Sequence, residues 1–122
     1  MSSERGSVSL LVAASVTMTL VLVMGVADVA RALIARSRAE AVADLAALAA
    51  IQELALPSGG IDPEGVAADY ATRNGADLVS CSCSAGSLEA VVTVAVHVDG
   101  FLLPIAAREV VARSRAIVDV PT

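Results

Sequence analysis

Along the first part of the chain the apolar positions favour no single face. From Gly6 to Ala27 no residue is charged. Leu10, Leu11, Val12, Val16, Leu20, Val21, Leu22, Val23 and Val26 would cover the whole circumference of a helix. At about 1.5 Å per residue, a run of roughly 20 residues crosses a hydrocarbon core of ~30 Å. Ser9, Ser15, Thr17 and Thr19 interrupt the run, and their hydroxyls can bond back to the helix backbone. The pattern predicts a transmembrane helix.

Between Ala27 and Leu56 there is no Pro, no Gly and no turn cluster. Alanine, the strongest helix former, dominates this stretch. Ile34, Ala41, Val42, Leu45, Leu48 and Leu56 recur at helical spacing, with Gln52 among them. Arg36 and Glu40 stand one turn apart. One continuous helix is expected from about Val8 to Leu56, ended by Pro57-Ser58-Gly59-Gly60. Its apolar stripe has two readings, packing on the chain's own domain or on neighbouring subunits.

Asp62-Pro63-Glu64 is a helix start, with Asp62 as cap, Pro63 in the first position and Glu64 at the positive end of the dipole. Val66, Ala67, Tyr70 and Ala71 continue it, and Asn74-Gly75 stops it. After Gly75 the period falls to two. Ala76–Cys83, Ser87–Val98 and Val110–Val120 read as strands, with a turn at Ala85-Gly86. An even turn there sets Cys83 opposite Leu88, Cys81 opposite Ala90 and Val79 opposite Val92. Leu88, Ala90, Val92, Val94, Val96 and Val98 then share the buried face, joined by Ala112, Ala116, Val118 and Val120. Glu89, Thr93, His97, Asp99, Arg113, Arg115 and Asp119 point the other way, with Val91 and Ala95. An odd turn would flip one strand. The segment Asp99–Glu109 is apolar and holds Pro104. It reads as a crossover loop on the core, or as a membrane-surface or partner-docking patch.

The expected fold class is therefore α+β: a long N-terminal helix, a short second helix and a small antiparallel sheet of about three strands. The expected domains are a tail and transmembrane helix over 1–27, an alanine-rich continuation over 28–56 and a small α+β domain over 57–122.

Composition sharpens this picture. A chain of 122 residues holds one domain plus an appendage. Its hydrophobic share of 57% exceeds the roughly 45–50% of soluble domains, and the surplus lies at the N-terminus. Tyr70 and Phe101 are the only aromatics, so the core must be built from Val, Leu, Ile and Ala. A net charge of -5 with no basic stripe excludes a nucleic-acid partner. Arg5 precedes the apolar run, while Arg31, Arg36 and Arg38 follow it. That count alone would keep the C-terminal side in the cytoplasm, with Asp28 and Glu40 tempering it.

Catalytic chemistry finds no support. Cys81 and Cys83 cannot complete a tetrahedral zinc site, and His97 falls on the opposite face of the sheet. Their C-x-C spacing is not that of thioredoxin-like motifs. The two are read as buried inward-facing thiols or as a local disulfide, which needs local distortion. Gly59-Gly60 lacks the lysine and setting of a phosphate loop. No enzyme, cofactor, metal or small-molecule substrate is expected.

Arg5-Gly6-Ser7, the apolar span, Asp28, the patch of Arg31, Arg36 and Arg38, and the alanine tract of Ala43–Ala50 together resemble the N-terminal segment of TadE/TadG-like proteins of tight-adherence, Flp-type pilus systems. The stretch from Asn74 to Ser84 resembles the small actinobacterial TadE-like type. The resemblance implies a non-enzymatic, pilin-like or minor-pilin-like subunit of pilus assembly or secretion. It implies single-pass anchoring in the cytoplasmic membrane with the C-terminal domain outside. Partners would be membrane lipid, other pilin-like subunits and assembly-platform proteins, and the cysteines would lie in an oxidising space. Gly6 and Ser7 match a prepilin-type processing site, but Leu11 stands where processed members carry a glutamate. The unprocessed state fits that departure.

Two rival readings differ in class. One is a small secreted binding domain released by signal cleavage near Ala27, where Gly25-Val26-Ala27 offers small residues. Against it, a signal's apolar region is shorter, about 7–15 residues, and the helical pattern here continues past the cut. The other is a membrane-anchored thiol enzyme using Cys81 and Cys83.

Overall fold

A computed structural model describes residues 2–56, 62–84, 86–103 and 108–119. Helix α1 runs without a break over Ser2–Ala55, and α2 covers Pro63–Arg73. Strands β1 (Asp77–Ser82), β2 (Glu89–His97) and β3 (Glu109–Ile117) form one antiparallel sheet in the order β1-β2-β3. The C-terminal half of α1 packs against the sheet and α2, while α2 also touches β1. The architecture is the expected α+β arrangement.

Local signals account for the second helix. The Asp62 carboxylate accepts the Glu64 N–H at 3.3 Å, and Pro63 opens the first turn. Ala67 and Ala71 are its buried positions. Gly75, at φ +74°, turns the chain out of α2 into β1. An added Cβ there would lie 2.9 Å from Nη2 of Arg38, which donates to the Asn74 carbonyl at 3.2 Å. Arg38 thereby ties α1 to the end of α2.

The buried face of α1 differs from the expected stripe. Ala39, Ala43, Ala46, Ala47 and Ala50 are fully buried, joined by Val42 and Ile51. Ile34, Leu45, Leu48 and Leu56 are exposed, as are Ala41 and Gln52. Only Val42 of the expected stripe faces the core. The reason is steric: alanine leaves a single methyl between backbones, so a sheet and a second helix can both lie close on the helix. The larger side chains are left on the outside.

On the sheet, Ala90, Val92, Val94, Val96 and Val98 face this alanine surface and are buried, as are Ala112 and Ala116 of β3. Val118 packs at its margin, Leu88 is exposed, and Val120 lies outside the described residues. Val92 and Val94 are the largest fully buried side chains, so the core does without aromatics. Ser114 of β3 donates to the Asp44 carboxylate of α1 beside this contact.

The β1–β2 register is a correction. Cys81 lies opposite Val92, Ser82 opposite Val91 and Leu78 opposite Val94. Ser80, Cys81 and Ser82 are two residues from the even-turn expectation, and Asp77 and Leu78, beyond an irregularity in the pairing, are one residue from it. A slip of two keeps each side chain on its face. A bulge between Leu78 and Ser80 then leaves Val79 exposed. Between β2 and β3 the pairing runs unbroken from Glu89–Ile117 to His97–Glu109. The Asp99–Glu109 segment is thus the loop of a hairpin, not a crossover.

Ala47→Leu forces a larger side chain into the closed contact and lowers stability by about 1–3 kcal/mol. Leu48→Ala, one residue on but exposed, stays within about 0.5 kcal/mol. Denaturant midpoints of the detergent-solubilised chain check the pair, and the reverse order contradicts the alanine face.

Candidate functional site

One helix among the described residues is long and apolar enough to cross a membrane, and none of its most apolar stretch is buried. Leu10, Leu11, Met18, Leu22 and Val26 all present their side chains outward. Ser15 donates to the Leu11 carbonyl at 2.8 Å, Thr17 to Ala13 at 2.8 Å and Thr19 to Ser15 at 2.9 Å. Each hydroxyl is thus satisfied inside the helix, so the run offers no unpaired side-chain polar group at those positions.

The charge-free run ends at Ala27, and Asp28 follows with 6% of its surface exposed. It is the one buried polar or charged side chain among the described residues. A buried carboxylate is costly unless hydrogen-bonded. Here both oxygens are engaged: the Leu102 N–H donates to Oδ1 and the Leu103 N–H to Oδ2, each at 2.8 Å. Arg31, one turn along the helix, reaches Oδ1 at 3.3 Å. The Leu102 N–H, first among the causes, holds the carboxyl below its ordinary value. Burial opposes it, and the Leu103 N–H and the Arg31 guanidinium add to the lowering.

The partner of Asp28 is the β2–β3 loop. Its neck is closed by the Val98 N–H donating to the Arg108 carbonyl at 2.8 Å. Gly100, at φ +83°, turns the chain just before the clamped pair. Phe101 and Leu103 are half-buried, and Leu102 is exposed. Residues 100–103 therefore sit at the end of the apolar run and not in the alanine–valine core, which was one of the two placements expected. Pro104 to Ala107 lie outside the described residues.

The other expected site residues lie apart. Gly6 and Ser7 are exposed on the first turns of α1, with Leu11 about one turn further. The structure joins Cys81 and Cys83 by a disulfide, with their Cα atoms 5.4 Å apart. Both are half-buried at the margin of the core. His97 stands on the outer face, 3.7 Å from Glu109 and 4.0 Å from Asp77, and all three are solvated. The histidine and cysteines do not converge. No cluster of three metal-binding side chains occurs among the described residues.

The clamp at Asp28 escaped sequence reasoning. The local signal was a lone carboxylate closing a charge-free run, but its partners lie 74 and 75 residues away. No spacing pattern links them.

An exposed apolar helix thus continues into the packing element of a small α+β head. The chain belongs to the family described as putative Flp pilus-assembly TadE/G-like, whose model matches residues 6–77, more than half of the chain. The matched region runs from Gly6 through the apolar run, Asp28, the alanine face and α2 to the start of β1; the β2–β3 hairpin lies beyond it. No curated protein and no solved structure matches the chain significantly.

Asp28→Ala frees the Leu102 and Leu103 amides, and their hydrogen-exchange protection falls while that of Val94 is unchanged. Because the folded carboxyl titrates below its ordinary value of 3.8, the charged form's stabilisation is present above that value. It fades only as pH falls through the lower folded value. Protection at Leu102 and Leu103 therefore persists at pH 5 (mild acid, about one unit above the ordinary carboxylate range) and declines in strong acid. Loss of protection already at mild acidity contradicts the clamp.

Proposed function

We propose that the chain is a non-enzymatic, pilin-like subunit of a Tad/Flp-type pilus assembly or secretion system, held in the cytoplasmic membrane by α1 with its α+β head outside. The observation that carries this reading is the division of labour within α1. Its alanine face is taken up by the chain's own sheet and second helix. Its larger apolar residues face outward, all round the N-terminal half and on one side further on, at Leu33, Ile34, Leu45 and Leu48. Exposed apolar surface on this scale needs a non-aqueous or protein partner. Lipid suits the charge-free half. Other pilin-like subunits or platform proteins suit the half where charged residues alternate with the exposed stripe.

The pilus-assembly family supports the role, and the domain outside the membrane follows the family resemblance, since the arginine count alone points the other way. Outside the cytoplasm an oxidised Cys81–Cys83 pair is chemically permitted. Gly6 stays unprocessed in this reading because Leu11 offers no carboxylate at the position where processed members carry one.

Alkaline extraction of membranes with a reporter fused after Thr122 tests the proposal. The chain is expected in the alkali-resistant membrane fraction, with the reporter active only in its extracytoplasmic form. A cytoplasmic reporter, or a chain released by alkali, contradicts it.

A further inference from the structure

We propose that residues 101–103, which follow β2, are a second membrane contact, in which Phe101, Leu102 and Leu103 enter the bilayer boundary while Asp28 holds the backbone of Leu102 and Leu103. This rests on the reading of α1 as a membrane anchor and adds a site that the helix alone does not supply.

Depth carries the argument. Leu103 lines an apolar groove of about 430 Å³ together with Val21, Leu22, Gly25, Val26 and Val29. Four of those five helix residues belong to the charge-free run. Val21 lies seven residues before Asp28, about 10 Å along a helix axis. Wherever lipid surrounds the last two turns of that run, it also reaches Leu103. Leu102, next to it, is 51% exposed with no core partner. The surface of the loop is thus continuous with the lipid-facing surface of the helix.

Backbone chemistry points the same way. An apolar loop tip can enter hydrocarbon only if its N–H groups are satisfied inside the protein. The Leu102 and Leu103 N–H groups are both taken by Asp28, at 2.8 Å each. Gly100 turns the chain there for its positive φ, and a Cβ added to it would meet nothing within 4 Å. Arg31 lies one turn beyond Asp28, and Arg108 borders the loop's own cleft with Asp99 and Phe101. Guanidinium groups at that level suit lipid phosphates, just above the apolar tip.

The chain contains no Trp, so a single introduced indole reports its own depth. The full chain is reconstituted in phosphatidylcholine–phosphatidylglycerol vesicles with unlabelled or brominated acyl chains. Leu22→Trp reports the anchor, Leu102→Trp the loop and Val111→Trp the outer sheet face. Bromination is expected to quench emission from Leu22→Trp and Leu102→Trp and to leave Val111→Trp bright. Adding Asp28→Ala to Leu102→Trp is expected to reduce the quenching. A quenched Leu22→Trp with an unquenched Leu102→Trp overturns the proposal and leaves the anchor standing. If that unquenched emission is also blue-shifted, a second protein copy covers the loop instead of lipid. An unquenched Leu22→Trp overturns the anchor and the proposal with it. Quenching at Leu102→Trp that survives Asp28→Ala overturns the role given to Asp28.

Discussion

The contact between the alanine face of α1 and the valine face of β2 sets where everything else in the molecule lies. Ala43, Ala46, Ala47 and Ala50 share one core cluster with Val92 and Val94, and none of the six has residual exposure. Such small groups bury little area each, so cohesion depends on close approach over a long line. That requires an uninterrupted helix and a strand of matched length, and both are present. Because the contact uses only one narrow face, the bulky side chains of α1 are free to meet something other than the chain itself. The fold thereby joins two surfaces of different chemistry on one rod.

Where the two surfaces meet, Asp28 resolves a conflict. The helix cannot place a bare carboxylate beside an apolar run without cost, and the hairpin loop cannot leave two amides unpaired there. Each answers the other's need, and Arg31 completes the charge. The lowered pKa of the carboxyl is the electrostatic trace of the same arrangement.

Much of this was legible in the residues, and the failures are instructive. The charge-free run, the cap at Asp62, the stop at Gly75 and the alternation of β2 are local patterns; the first became an unbroken apolar helix long enough to cross a membrane, and the others became the bounds of α2 and the strand β2. The stripe on α1 was misread because a periodicity of large apolar residues says which positions share a face, not which face is inside. Here small residues won, since a sheet and a helix both had to approach one rod. The β1–β2 register moved by two residues over Ser80–Ser82 and by one over Asp77–Leu78, because a bulge at Val79, which strict alternation does not signal, interrupts the ladder. The clamp at Asp28 was invisible because it depends on where a loop more than 70 residues away is brought by the sheet. In the sequence Asp28 appears only as a lone carboxylate closing a charge-free run.

The central claim is that the apolar half of α1 remains part of the working protein, continuous with the half that packs the domain. Intact mass of the chain purified from membranes tests it most directly. The account predicts a mass that includes the residues through Ala27, with Gly6 still joined to Ser7. A chain beginning at Ser7 would keep the anchor and contradict only the unprocessed state. A chain beginning at Asp28 would contradict the account, because it removes Val21, Leu22 and Val26 and leaves the domain with no apolar rod to carry it.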